Sequence, residues 1–178
     1  KLLRTDVYFD VLASYLQREK VKVLIFDEKG VGKKMFYDDW LGNELASKII
    51  YSERRGLRED ICLFASGYTK VIFGPCTGLM HCATGIYNNL LRNGMPPENV
   101  PVMMVYTGKY KNESDTAQVW WGGAPLINCV VLRQNAGRAE ATLLKDLNEQ
   151  EKMKADNLLS CKAYNAKMIT DLLDACLS

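Results

Sequence analysis

Lys70-Val71-Ile72-Phe73-Gly74-Pro75-Cys76-Thr77-Gly78-Leu79-Met80-His81-Cys82-Ala83 is the stretch that decides the architecture of this chain. Lys70 to Gly74 reads as an apolar strand of the kind buried on both faces in a parallel sheet. Pro75 to Leu79 reads as a turn, and Met80 to Leu91 as a helix that Asn93-Gly94 stops. The same grammar continues on either side. Upstream, Leu57 to Ser66 is predicted as a helix with Leu57, Ile61, Leu63 and Phe64 inward, ended by Gly67. Downstream, Val100 to Tyr106 is a second buried strand. Strands alternating with helices imply an α/β fold, a Rossmann-like parallel sheet sandwiched by helices.

The outer segments extend that pattern. Thr5 or Asp6 can cap a helix in which Val7, Val11, Leu12, Tyr15 and Leu16 share a face, and Val21 to Phe26 follows as a β-branched strand. Glu44 to Ile50 fits helix or strand. Cys129 to Leu132 is a last short strand, and helical spacing is predicted over Ala139 to Leu147 and Glu151 to Leu177. The chain of 178 residues, read as one domain over residues 1–178, carries a net charge of +2 and 48% hydrophobic residues. It is too apolar for disorder and too nearly neutral for a phosphate-neutralising nucleic-acid surface. No stretch reaches the roughly 18–20 apolar residues that cross a bilayer. Six cysteines without a CxxC pair argue against a zinc ribbon and for a reducing, cytoplasmic setting. The start at Lys1 lacks an initiator Met and a signal peptide, and reads as a piece of a longer protein.

In an open parallel sheet, ligands bind beyond the carboxyl ends of the strands, so the loops there carry the candidate chemistry. Thr77 and the amides of Gly78 to Met80 face outward at a helix amino end, which suits a phosphate or diphosphate. Gly74 and Gly78 remove side chains where the backbone turns. His81, the sole histidine, either is wedged between sheet and helix with its nitrogens satisfied by backbone carbonyls, or hydrogen-bonds a ligand oxygen or braces the loop. Cys76 is an alternative candidate, as a nucleophile activated by the helix end and His81. A metal held by Cys76, His81 and Cys82 matches no usual ligand spacing. Gly30-Val31-Gly32-Lys33-Lys34 fails as a nucleotide phosphate loop, because Asp27 stands where the first Gly belongs and Lys34 where Ser or Thr should hold magnesium. Asp27 or Glu28 can still accept from a ribose hydroxyl. In a third loop, Tyr106-Thr107-Gly108-Lys109-Tyr110 precedes Trp120-Trp121-Gly122-Gly123, whose indoles either stack on a ligand ring or form the loop's own small core.

Gly74-Pro75-Cys76-Thr77-Gly78-Leu79-Met80-His81-Cys82-Ala83 resembles the Gly-Pro-Asp-(Ser/Thr)-Gly-Pro-x-His-x-Ala signature of the heptosyltransferase-like enzymes, glycosyltransferase family 9. The helix Leu57 to Ala65, the strand before the signature and the apolar strand after it agree in order, over roughly Asp6 to Leu132. The resemblance implies the C-terminal, donor-binding half of a GT-B glycosyltransferase, with the long C-terminal helical segment as the helix that crosses back. It implies a nucleotide-diphosphate sugar as substrate, no cofactor and no metal. Thr77 and Gly78 would supply hydroxyl and amide donors within the Gly74 to His81 turn, and His81 would sit beneath the loop. Arg4 or Lys1 would be a basic phosphate contact and Glu28 a ribose contact. The other partners implied are a glycan or glycolipid acceptor and an N-terminal domain outside this chain that carries the catalytic base. Without that base the chain alone is expected to be inactive. The full-length enzyme would be cytoplasmic or peripheral to the inner membrane.

Two positions depart from the signature: Cys76 replaces its Asp and Leu79 its second Pro. A thiol cannot make a carboxylate's hydrogen bonds, so the resemblance implies either a donor other than the family's usual heptose or altered activity. Two other readings stand beside it. One is a non-catalytic or degenerate phosphate-ligand module, and the other is a nucleotide-sugar epimerase fragment of GT-B fold.

Overall fold

A computed structural model of the chain describes residues 2–26, 40–42, 44–52, 56–109, 115–154 and 159–178. Lys1, Glu28, the whole loop from Asp27 to Lys34, Tyr110 and Leu158 lie outside the described residues. The elements run α1 (Thr5–Leu16), β1 (Val23–Phe26), β2 (Ile49–Ser52), α2 (Leu57–Phe64), β3 (Val71–Pro75), α3 (Gly78–Arg92), β4 (Val102–Tyr106), α4 (Ala117–Trp121), β5 (Ile127–Asn135), β6 (Arg138–Leu143), α5 (Glu149–Lys154) and α6 (Ala166–Leu177).

Strands β3, β4 and β5 are neighbours in that order and run parallel, with Val71 opposite Val102 and Met103 opposite Ile127. β1 and β2 form a separate parallel ladder, Val23 opposite Ile49. The sheet is therefore mostly parallel, with one exception that the sequence reading did not contain. Arg138 to Leu143, expected as the start of a helix, is an antiparallel edge strand paired with β5 from Val130↔Leu143 to Asn135↔Arg138. The turn between them is Ala136-Gly137, both at positive φ (+47° and +79°). That is the backbone of a two-residue hairpin whose twist matches its strands. The apolar spacing of Ala139, Ala141 and Leu143 is period two, and strand pairing decided what a short run could not.

Alternation along the central strands builds three layers. Met103, Val105, Ile127, Cys129 and Val131 face a core made with Phe64 of α2, Met80, Ala83 and Tyr87 of α3, and Ala117 and Trp121 of α4. Met104, Tyr106, Val130 and Leu132 face the opposite way, against Val7 and Val11 of α1 and Ile169 and Leu173 of α6. Helix α1 also spans the gap to the small ladder, where Phe9, Leu12 and Leu16 cover Ile25 and Ile49. The C-terminal region is not one helix from Glu151. The 3-10 turn Cys161–Ala163 separates α5 from α6. Inward residues of α2 are Asp60 and Phe64, while Leu57, expected inside, is 54% exposed. Asp60 is buried because the Ser52 hydroxyl at the end of β2 donates to its carboxylate.

Asn93-Gly94 does stop α3. Gly94 takes φ +92°, its amide donates to Leu91 O at 3.1 Å, and the Met95 amide donates to Leu90 O at 2.9 Å, closing a left-handed cap. At the other end α3 starts at Gly78, two residues before the expected Met80. That shift leaves Thr77 as the capping residue.

Candidate functional site

The turn after β3 delivers Cys76, Thr77 and Gly78 to the carboxyl edge of the sheet. Gly74 is still within the strand, opposite Val105. A Cβ on Gly74 would meet only Met80 Sδ at an ordinary 3.7 Å, and one on Gly78 would meet nothing within 4 Å. Neither glycine has positive φ. The tight turn expected to demand them is therefore not what holds them. At Gly78 the chain leaves open space in front of its own backbone.

Thr77 occupies the capping position of α3, with φ −141° and ψ 164°, yet its hydroxyl accepts from no helix amide. Its carbonyl closes the first turn instead, accepting from Met80 N at 3.1 Å and His81 N at 3.4 Å. Elsewhere the same position is used conventionally: Thr116 accepts from Val119 N at 3.2 Å and Asn165 from Met168 N at 2.9 Å. The amides of Gly78 and Leu79 have no intrahelical partner by the geometry of a helix start. The result is an exposed hydroxyl, two free amides and the positive end of a 15-residue helix in one place.

Cys76 is half-buried against the α2–α3 core. His81 does not sit beneath the turn. It is exposed on the first turn of α3, and its ring lies flat on Trp121, centroids 4.2 Å apart and planes 9° from parallel. Trp121 is buried in the core, and Trp120 stands beside His81 at 6.1 Å, tilted by 54°. The first and third loops thus come together, a proximity that the 40-position separation of His81 and Trp121 conceals. The sequence did not foresee α4, the five-residue helix that sets the two indoles in opposite directions.

The floor of the third loop is pinned. Thr107 donates from its amide (3.0 Å) and its hydroxyl (2.8 Å) to Val130 O, and the Tyr164 hydroxyl lies within reach of Thr107 O (2.8 Å) and Val130 O (3.2 Å). Burial pushes the Tyr164 and Tyr106 hydroxyls well above the usual tyrosine range and the Cys129 thiol up to about 12. These groups are neutral packing members.

Arg4 stands just before α1, at the end of that helix opposite its exit toward β1, and the Tyr106 hydroxyl at the carboxyl end of β4 meets the backbone of neighbouring Leu3. The Arg4 guanidinium is engaged by Asp6, at 3.0 and 3.2 Å. Among the described residues no group of three His, Cys, Asp or Glu side chains gathers as metal ligands, and no helix is long and apolar enough to cross a membrane. Compared with known proteins, the chain matches no family model, no curated sequence and no solved structure.

Proposed function

We propose that the chain is the donor-binding half of an inverting, metal-independent glycosyltransferase of bacterial surface glycan synthesis. The observation that carries this reading is the amino end of α3: the idle Thr77 hydroxyl, the unpartnered amides of Gly78 and Leu79, and open space where a side chain at Gly78 would stand. A diphosphate supplies the acceptor oxygens and negative charge that such a place lacks. In the intact enzyme, a base on a further domain deprotonates an acceptor hydroxyl of a glycan or glycolipid, which attacks the anomeric carbon. The nucleoside diphosphate leaves, and the dipoles at Thr77 to Leu79 stabilise the charge that develops on it. Arg4, which the resemblance makes a phosphate contact, is paired with Asp6 and would exchange that partner for a phosphate.

Calorimetric titration with nucleoside diphosphates and their sugar esters tests the reading. One nucleotide is expected to bind and to be weakened about tenfold or more by Thr77→Val, the scale of a lost hydrogen bond to a charged group, and also by Gly78→Ala, whose methyl would fill the space in front of the amides. The urea midpoint should not fall in either variant, since the hydroxyl caps nothing and a Cβ at Gly78 meets nothing, and Gly78→Ala should raise it slightly. Binding of no nucleotide, or unchanged affinity in both variants, sinks it. The second reading, a phosphate-ligand module without catalysis, is favoured by Cys76: a thiol packed toward the core stands where the resembling signature has a carboxylate. Equal affinity for orthophosphate and for nucleotides would select it.

A further inference from the structure

We propose that Trp120 and His81 form a wedge that receives the sugar ring next to the diphosphate, an inference that rests on the donor-binding role of the α3 turn. One face of the His81 ring is covered by Trp121, which is only 3% exposed and so holds the imidazole in place. Its edge faces outward, and its nitrogens make no hydrogen bond among the described residues. Trp120 presents an indole that is 45% exposed, tilted 54° from the imidazole with centroids 6.1 Å apart.

That tilt is too steep for the sandwich a nucleobase prefers. It offers one apolar face beside one polar edge. A pyranose has the matching construction, with a C–H face and a rim of hydroxyls that donate to or accept from imidazole nitrogens. The position agrees, because His81 lies one helical turn, about 5.4 Å, beyond Thr77. That is the reach of a ring bonded directly to a phosphate at the helix end, and short of a base separated from it by ribose. On α4, the buried Trp121 Nε1 and Gln118 Oε1, three residues apart in sequence, have no partner among the described residues. They are a donor and an acceptor, the pair that one O–H group, or a water relaying to a sugar hydroxyl, satisfies together.

The test compares Trp120→Ala and Trp120→Phe with the unaltered chain, by calorimetry against uridine, guanosine, adenosine and thymidine diphosphates and their hexose esters. Trp120→Ala should reduce affinity for the sugar ester roughly three- to tenfold, to that of the bare nucleotide, and leave the bare nucleotide unchanged. Trp120→Phe, which keeps an aromatic face, should restore most of the difference. Equal weakening of both ligands would mean base stacking and overturns the proposal, as does no change in either. If the unaltered chain binds no nucleotide, the donor reading fails and the wedge is judged on methyl glycosides by saturation-transfer NMR. Ring-proton signals lost in Trp120→Ala then uphold it, and no signal from the unaltered chain overturns it.

Discussion

Ala136 holds φ at +47°, a conformation that costs a side chain with Cβ about 1–2 kcal/mol unless it is Asn, Asp or Gly. The hairpin turn takes Ala136-Gly137 where Asn-Gly is the favoured pair. Ala136→Asn is therefore expected to raise the urea-derived stability by about 0.5–1 kcal/mol without changing the slope; no gain would mean that the turn is not of this type. Gly108 is the opposite case. A Cβ there would stand 2.6 Å from Cys161 Sγ and 2.7 Å from Cys161 N, because the Lys109 amide draws the two backbones together through Leu159 O at 2.9 Å. Gly108→Ala should cost about 1–3 kcal/mol as overpacking against a backbone that cannot retreat. Thermal or urea unfolding measures it, and a neutral result would refute the close approach. Neither role can be read from the letters: Gly78, in a motif, touches nothing, while Gly108, in no motif, is wedged against another part of the chain.

Among the elements, α1 and α6 meet through a surface cluster in which Asp174 accepts from the Tyr15 hydroxyl at 2.8 Å and from Arg18 at 2.9 and 3.0 Å. The Tyr15 hydrogen bond first, and Arg18 after it, hold the Asp174 carboxyl below its usual range. A carboxyl lowered by folding stabilises the protein above its unfolded value, and that contribution fades as pH falls through the lower, folded one. The stability difference between the unaltered chain and Asp174→Asn should be below about 1 kcal/mol at pH 7, as for other exposed pairs, and shrink toward zero in acid. Urea midpoints taken from neutral pH to pH 3 would show this; a difference that stays constant removes Asp174 from the account. Element type was legible where a helical period ran long, as in α1 and α3, and where a continuous apolar run marked a buried strand, as in β3 to β5. It was not legible at β6 and α4, where six and five residues fit either period and the partner strand or the buried indole decides.

For the whole molecule, the layers sort the thiols. Cys62 on α2 is exposed, while Cys129 and Cys161 are buried on opposite faces of the sheet. Iodoacetamide at pH 8 should label Cys62 in the native protein and reach Cys129, its thiol pushed up to about 12 by burial, only on unfolding. Mass spectrometry of the labelled peptides reads the order, and early labelling of Cys129 would contradict the placement of β5. The sequence by itself determined the alternation of buried strands and helices, the stop of α3 at Asn93-Gly94 and the turn after β3 that sets a helix amino end at the carboxyl edge of the sheet. Each of these is local, written in hydrophobic period, backbone freedom and the dipole of one helix. Tertiary structure alone decided that His81 lies on Trp121, that Trp120 opens beside it, that Thr77 leaves its hydroxyl unused and that β6 closes the sheet antiparallel. The His81 contacts join segments distant in the chain and β6 depends on pairing with β5 across Ala136-Gly137, so packing across layers and along strands decides them and no single segment records them.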